Sequence, residues 1–349
     1  MVANASSYQS VVTAQVYELV APNLLHLKEE KMHVTELGSQ SIFAETLFSA
    51  ISTGTEIAAW SGKPPLRPSI AHPRLVGYCN VARVQKIGLE IDDIEVGDFI
   101  LTHQSHRSNF FCNRNDVLLK ARNLAQESQK RLAIAYLYCL GYSALLDGRY
   151  KPGFEVGVVG LGALGFASAS LISAYGGSPL IFSGRNDLNA ILESIPFSRC
   201  VNKAESGVPY RSVAGLDGVD LVINTSDSWE DYELSLKTVR RGGTIILVGF
   251  PGRGLAAPAF NPLDSKYVYD KAITIRQVGH CSDLEVPSID LRFTLKRNLA
   301  HIYSLLELGR INPAPLLRAV FSWDNLGEAY KLLETHPRGT LSAILDWTC

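Results

Sequence analysis

At 349 residues, with 46% apolar and 19% charged side chains, the chain is long enough for two globular domains with a sizeable core. A formal net charge of -1 gives no strong field for drawing in nucleic acid or an anionic membrane, so a small molecule is the expected partner. Six scattered cysteines (Cys79, Cys112, Cys139, Cys200, Cys281, Cys349) and a polar opening, Met1 to Ser10, without a signal-peptide pattern fit a reducing cytoplasm.

From Val11 to about Lys120, short alternating segments such as Val11–Leu19 and Ser41–Phe48 are punctuated by Gly, Pro, Asn and Asp. This pattern predicts an antiparallel β-rich module. A mostly apolar run with helical spacing, Leu132–Leu146, leads into Asp147-Gly148 and Lys151-Pro152-Gly153, a turn toward a second domain. From residue 154 to about 282 strands and helices alternate. The strands are expected at Val156–Val159, Leu180–Phe182, Leu221–Ile223, Thr244–Val248 and Ala272–Val278, the rhythm of a parallel doubly wound sheet. After Leu291 the pattern predicts an amphipathic helix to about Leu308, a strand at Leu317–Phe321, a helix near Leu326–Glu334 and a last strand at Leu341–Trp347. This tail is expected to return to the first domain.

Val156–Gly184 contains no charged residue and is long enough for a bilayer of roughly 30 Å, but its seven glycines and its change from β-branched run to helical run and back describe a buried βαβ unit. Within it, Val156–Val159 runs into Gly160-Leu161-Gly162-Ala163-Leu164-Gly165 and a helix ending near Tyr175. Gly160 permits a tight turn, Gly162 lets backbone approach a pyrophosphate, and Gly165 allows close helix–strand packing. The helix N-terminus attracts the phosphate charge. A nicotinamide dinucleotide is the expected cofactor.

About 20 positions beyond this motif an NAD-selective site usually has an acidic residue for the ribose hydroxyls. Here the sequence reads Ser183-Gly184-Arg185. Gly184 removes the carboxylate that would repel a 2′-phosphate, Ser183 can donate a hydrogen bond and Arg185 can pair with the phosphate, which favours NADPH. The competing reading makes Arg185 a solvated helix-start residue and Asp187 the ribose ligand.

Over nearly its whole length the chain resembles the medium-chain dehydrogenase/reductase superfamily. The resemblance rests on Ile51-Ser52-Thr53-Gly54-Thr55-Glu56, Val76-Gly77-Tyr78, Val96-Gly97-Asp98, Cys139-Leu140-Gly141-Tyr142-Ser143-Ala144, and Arg241-Gly242-Gly243-Thr244 before Val248-Gly249-Phe250. Ser52–Glu56, Trp60-Ser61-Gly62-Lys63 and the ending Leu345-Asp346-Trp347 are most similar to the bacteriochlorophyllide a dehydrogenase branch. That branch is associated with NAD, so its tetrapyrrole substrate is not carried over.

The resemblance implies an α/β protein, a Rossmann doubly wound parallel sheet plus a β-rich GroES-like catalytic domain. Residues 1–140 would form the catalytic domain, 141–282 the dinucleotide-binding domain, and 283–349 a segment returning to the catalytic domain. It assigns cofactor contacts to Gly160, Gly162, Ala163, Leu164, Gly165, Ser183, Gly184, Arg185, Asn224, Thr225, Val248, Gly249 and Phe250.

Zinc-dependent members would place Cys near Ser52 or Thr53, His-Glu at Tyr78-Cys79, and Cys or Asp at Cys139. Only Cys139 matches, and no close cysteine cluster supplies a structural zinc lobe, so no metal is expected. Charge developing on a carbonyl oxygen must then be met by hydrogen-bond donors. Tyr78 stands in place of the ligating histidine, and Thr55 or Thr53 where related enzymes keep a proton-relaying hydroxyl. His72, His103 and His106 are further acid–base candidates.

The leading expectation is a zinc-independent, NADPH-dependent oxidoreductase acting on a ketone or alcohol, an imine or an activated C=C bond. The alternative is a non-catalytic NADP(H)-binding sensor or structural protein. A homodimer is expected through the edge strand Lys271–Val278.

Overall fold

The computed structural model describes residues 11–35, 37–66, 72–203, 217–278 and 293–349. In the first part, β1 (Val11–Ala21) and β2 (Leu24–His33) form a hairpin, followed by β3 (Ser41–Ala50) and the short helix α1 (Thr53–Trp60). Then come β4 (Arg74–Leu75), β5 (Asn80–Ile87), β6 (Phe99–Thr102), β7 (Asn109–Asn113) and β8 (Val117–Ala121). Ladders among β3, β5, β6, β7 and β8 are antiparallel, as their alternating side chains predict.

The long helix α2 (Gln126–Asp147) follows, buried continuously from Leu132 to Gly141. A helix apolar on most of its circumference must be covered on several sides. One hydrophobic cluster accordingly runs from Phe48 and Val81 through α2 to Val158 and Ile223, fixing the two sheets relative to each other.

The second part contains β9 (Val156–Val159), α3 (Ala163–Ala174), β10 (Leu180–Ser183), α4 (Asn189–Leu192), β11 (Arg199–Asn202), β12 (Val219–Asn224), α5 (Trp229–Thr238), β13 (Val239–Leu247), α6 (Ser265–Val268) and β14 (Thr274–Gln277). Its six strands are parallel and lie in the order β11-β10-β9-β12-β13-β14. The order reverses between β9 and β12, which opens a crevice at their carboxyl ends, the place where such sheets bind ligands.

The tail consists of α7 (Leu295–Glu307), α8 (Ala314–Leu317), β15 (Ala319–Ser322), α9 (Leu326–Glu334) and β16 (Ala343–Asp346). β16 pairs antiparallel with β3 and β15 pairs with β16, so the tail completes the first sheet, as its pattern predicts.

Three details differ from expectation. The division between residues 140 and 141 falls inside α2, which belongs to the shared core. Leu317 ends a helical turn rather than opening a strand, because proline at the start of Ala314–Leu317 favours helical backbone. α1 is a helix inside a module read as strands. The division at residue 282, Leu291 and Cys281 lie outside the described residues. Among the described residues no helix is long and apolar enough to cross a membrane, and Val156–Gly184 is the β9–α3–β10 unit.

Candidate active site

The turn after β9 has the geometry its glycines imply. Gly160 has φ +91°, and a Cβ on Gly165 would stand 2.0 Å from the Gly160 carbonyl oxygen, so both positions exclude a side chain. A Cβ on Gly162 would meet nothing within 4 Å. Gly162 is also the N-cap of α3 and supplies no side-chain cap. Amide groups at an uncapped helix N-terminus beside open space fit a phosphate. Thr225 braces the turn, its hydroxyl donating to Gly160 O at 3.1 Å.

Three cavities lie end to end along the crevice. The first, about 750 Å³, is bordered by Ser183, Gly184, Arg185, Lys203 and Arg338. The second, about 310 Å³, is bordered by Thr53, Ala163 and Thr225 and shares Gly162, Arg185 and His336 with the first. Leu164 connects it to the third, about 430 Å³, which is bordered by Thr55, Tyr78, His103, Val248 and Phe250. The path leads from the end of β10, across the α3 N-terminus, to the face of the first sheet.

At the β10 end, Gly184 leaves open space. Arg185 lines the cavity, but its guanidinium pairs with Asp187 through Nε–Oδ1 and Nη2–Oδ2, both at 2.8 Å. Hydrogen bonding from Arg185 holds the Asp187 carboxyl down at about 2. The two residues that the sequence offered as rival ribose or phosphate ligands therefore neutralise each other. Asn224 departs from its expected cofactor contact. It is fully buried, donates to Asp231 O at 3.2 Å and Ser235 Oγ at 3.0 Å, and accepts from Ser226 N at 2.9 Å. Its amide shapes the loop after β12 and lines none of the three cavities. Gly249 contributes close backbone packing, since a Cβ there would lie 2.4 Å from Ser226 O.

At the far end, α1 separates the two threonines. Residues two apart point in different directions on a helix. Thr55 borders the third cavity with Tyr78, whereas Thr53 borders the second and donates to Leu341 O at 2.6 Å. The Tyr78 hydroxyl donates to Ser52 Oγ, and burial pushes the phenol well above its ordinary range. The Gly54 carbonyl accepts from Arg253 Nη1 at 3.0 Å, which ties α1 to the loop after β13.

Beneath this wall lies a buried polar chain that sequence reasoning did not find. Glu56 accepts from Ser52 N at 2.7 Å through Oε1, and from His106 Nε2 at 2.8 Å and Tyr330 Oη at 2.6 Å through Oε2. His106 Nδ1 meets Ser49 Oγ at 2.8 Å, and Ser49 Oγ accepts from Trp347 Nε1 at 2.9 Å. The chain joins β3, α1, α9 and the segment after β16, so it fixes the backbone that carries Ser52 and Thr55. His106 is fully buried and structural.

His103 has the opposite placement. It is exposed on the third cavity, where its Nδ1 lies 3.0 Å from Tyr78 O. A carbonyl only accepts, so Nδ1 carries the proton and Nε2 of the neutral ring is an acceptor. Tyr136 packs edge-on, with centroids 4.5 Å apart, and restricts ring rotation. His72 lies outside all three cavities.

Cys79 and Cys139 are fully buried, and burial pushes the Cys79 thiol well above its ordinary range. Among the described residues no three His, Cys, Asp or Glu side chains gather into a metal-binding group.

No protein-family model matches the chain. D-guloside 3-dehydrogenase of Shigella flexneri is 26% identical over 283 residues, 76% of this chain and 75% of that protein. The structure of L-idonate 5-dehydrogenase from Escherichia coli superposes with a TM-score of 0.76 at 16% identity, covering 97% of this chain and 99% of that one. Alcohol dehydrogenase from Thermus sp. ATN1 gives a TM-score of 0.74 at 17% identity, covering 95% and 99%. The fold is that of the medium-chain dehydrogenases/reductases, a Rossmann domain joined to a GroES-like one. In sequence the chain is similar to proteins named as dehydrogenases, and in fold to solved dehydrogenase structures.

Proposed function

We propose that the chain is an NADPH-linked oxidoreductase that moves a hydride to or from a small organic substrate without a catalytic zinc. The substrate carries a ketone or alcohol, an imine or an activated C=C bond. The observation that carries this reading is the continuous crevice, which joins a pocket bordered by Ser183, Gly184 and several cations to a cavity walled by hydroxyls and an imidazole. The residues fit the cofactor: Gly162 and the uncapped start of α3 would hold the pyrophosphate, and Gly184 presents no carboxylate to a 2′-phosphate. NADPH, when bound, supplies the hydride.

The chain's own groups orient the substrate and handle the proton. The Tyr78 phenol stays protonated at neutral pH, because burial opposes its ionisation, and its one O–H, given to Ser52 Oγ in the free site, serves as a hydrogen-bond donor to a substrate oxygen once it turns away from Ser52. Thr55 is a second hydroxyl on the same wall, and His103 Nε2 is the group placed to exchange a proton with solvent-facing substrate. Two observations support zinc independence: Ser52 and Tyr78 bond to each other where the resembled zinc enzymes have ligands, and Cys79 and Cys139 are sealed in the core.

The direct test incubates chelator-treated protein with NADPH and a panel of ketones, imines and enones. Oxidation of NADPH that depends on one substrate class supports the reading. Tight NADPH binding without turnover across the panel would favour a nucleotide-holding protein instead.

A further inference from the structure

Arg185 follows β10 and is the obvious partner for a 2′-phosphate, but its Nε and Nη2 donors are already engaged, which leaves only Nη1. Besides the bidentate pair with Asp187, Nη2 donates to Pro337 O at 3.1 Å. Asp187 is engaged in turn, because Oδ2 also accepts from Gly339 N. The near-neutral Arg185–Asp187 pair therefore grips the backbone on both sides of residue 338. Gly339 has φ +63°, a left-handed backbone conformation that residues with a Cβ rarely adopt, so the turn is suited to glycine at this position.

Between these two anchors, Arg338 is exposed on the wall of the same cavity as Ser183 and Gly184. Among the described residues its guanidinium has no hydrogen-bond or carboxylate partner. Lys203, on the opposite wall, pairs with Asp231 at 2.6 Å. A dianionic phosphate is best met by a guanidinium whose donor fork is available, since two parallel N–H···O bonds add geometry to charge.

We propose that Arg338, on the C-terminal segment, is the principal cation for the 2′-phosphate of NADP(H), and that Arg185 and Asp187 are positioning residues that hold the Pro337–Gly339 turn. This inference rests on the reading of the site as an NADPH pocket. The segment between α9 and β16 belongs to the part of the chain that pairs with β3. The phosphate is therefore read from both sides of the crevice: Ser183 and Gly184 come from the Rossmann side, and the cation comes from the side that carries Tyr78.

Fluorescence titration of NADPH and NADH against the wild-type chain, R338A, R338K and R185A tests the proposal by binding alone. Arg338 is exposed, so its replacement does not disturb packing, and a melting curve for each variant confirms this. Wild type is expected to prefer NADPH. R338A is expected to lose roughly tenfold to hundredfold in NADPH affinity, the size of a charge-assisted contact, with NADH affinity within about twofold of wild type. R338K should recover part of the loss, and R185A should weaken NADPH less than R338A. A wild-type preference for NADPH that survives in R338A, or that R185A abolishes while R338A keeps it, overturns this assignment and leaves the NADPH reading standing. Equal wild-type affinities for both cofactors overturn the NADPH reading, and this assignment with it.

Discussion

At the scale of single residues, the site is decided by which hydrogen-bond partners each side chain already has. Thr53 and Thr55 are equivalent in the sequence, but the helix between them gives Thr55 to the substrate cavity and commits Thr53 to Leu341 O. The three loop histidines likewise separate. His106 vanishes into a buried chain with Glu56, whereas His103 keeps one nitrogen for the cavity. Neither outcome was legible in the sequence, because the deciding partners are distant: Glu56 lies 50 positions from His106 and 274 from Tyr330. Arg185 and Asp187 were read as alternatives, and no local pattern shows that they would pair. From the placement of His103 we predict that His103→Gln lowers turnover by roughly a hundredfold or more, within the usual range for a general acid–base group. The variant should also leave NADPH affinity unchanged. A variant with wild-type turnover would return the proton step to Tyr78 or Thr55.

At the scale of elements, the strands and the nucleotide turn were the most readable features. Buried parallel strands carry short runs of apolar residues, so β9, β10 and β12 are visible in the sequence as Val156–Val159, Leu180–Phe182 and Leu221–Ile223, and the structure extends the last two to Ser183 and to Val219–Asn224. α1 was missed because its eight residues are too few for helical periodicity to stand out among strands. The glycine turn allows a sharp separation of fold from binding. Gly165→Ala must push a methyl toward the Gly160 carbonyl, so it should lower the melting temperature markedly. Gly162→Ala meets open space at a backbone φ of -85°, so it should melt within about 2 °C of wild type, as expected for a change well under 1 kcal/mol. It should nevertheless weaken NADPH, because the methyl occupies the space beside the α3 N-terminus. Thermal melts with and without NADPH read both effects. Equal melting losses for the two variants, or undiminished NADPH affinity in Gly162→Ala, would show that this glycine does not face the pyrophosphate.

At the scale of the whole molecule, the two-part architecture and the returning tail followed from the change in sequence rhythm near residue 150. The joint between the parts did not follow, because α2 serves both cores and carries no boundary signal. The outer strand of the parallel sheet, β14, is mostly exposed and has a neighbour on one side among the described residues. Such an edge invites pairing, so we expect a homodimer in which two copies of β14 continue one sheet across a two-fold axis. Light scattering at micromolar concentration should give about twice the 38.2 kDa chain mass, and a mass that stays at one chain on concentration would exclude the dimer.

The proposed reaction is hydride transfer with NADPH in the absence of zinc. NADPH carrying deuterium at both C4 positions of the nicotinamide, mixed with chelator-treated protein shown by metal analysis to be zinc-free, tests it through the mass of the product. One deuterium per product molecule is expected from a carbonyl, imine or enone substrate. Transfer that ceases on removal of zinc and returns with its addition would contradict the proposed reaction.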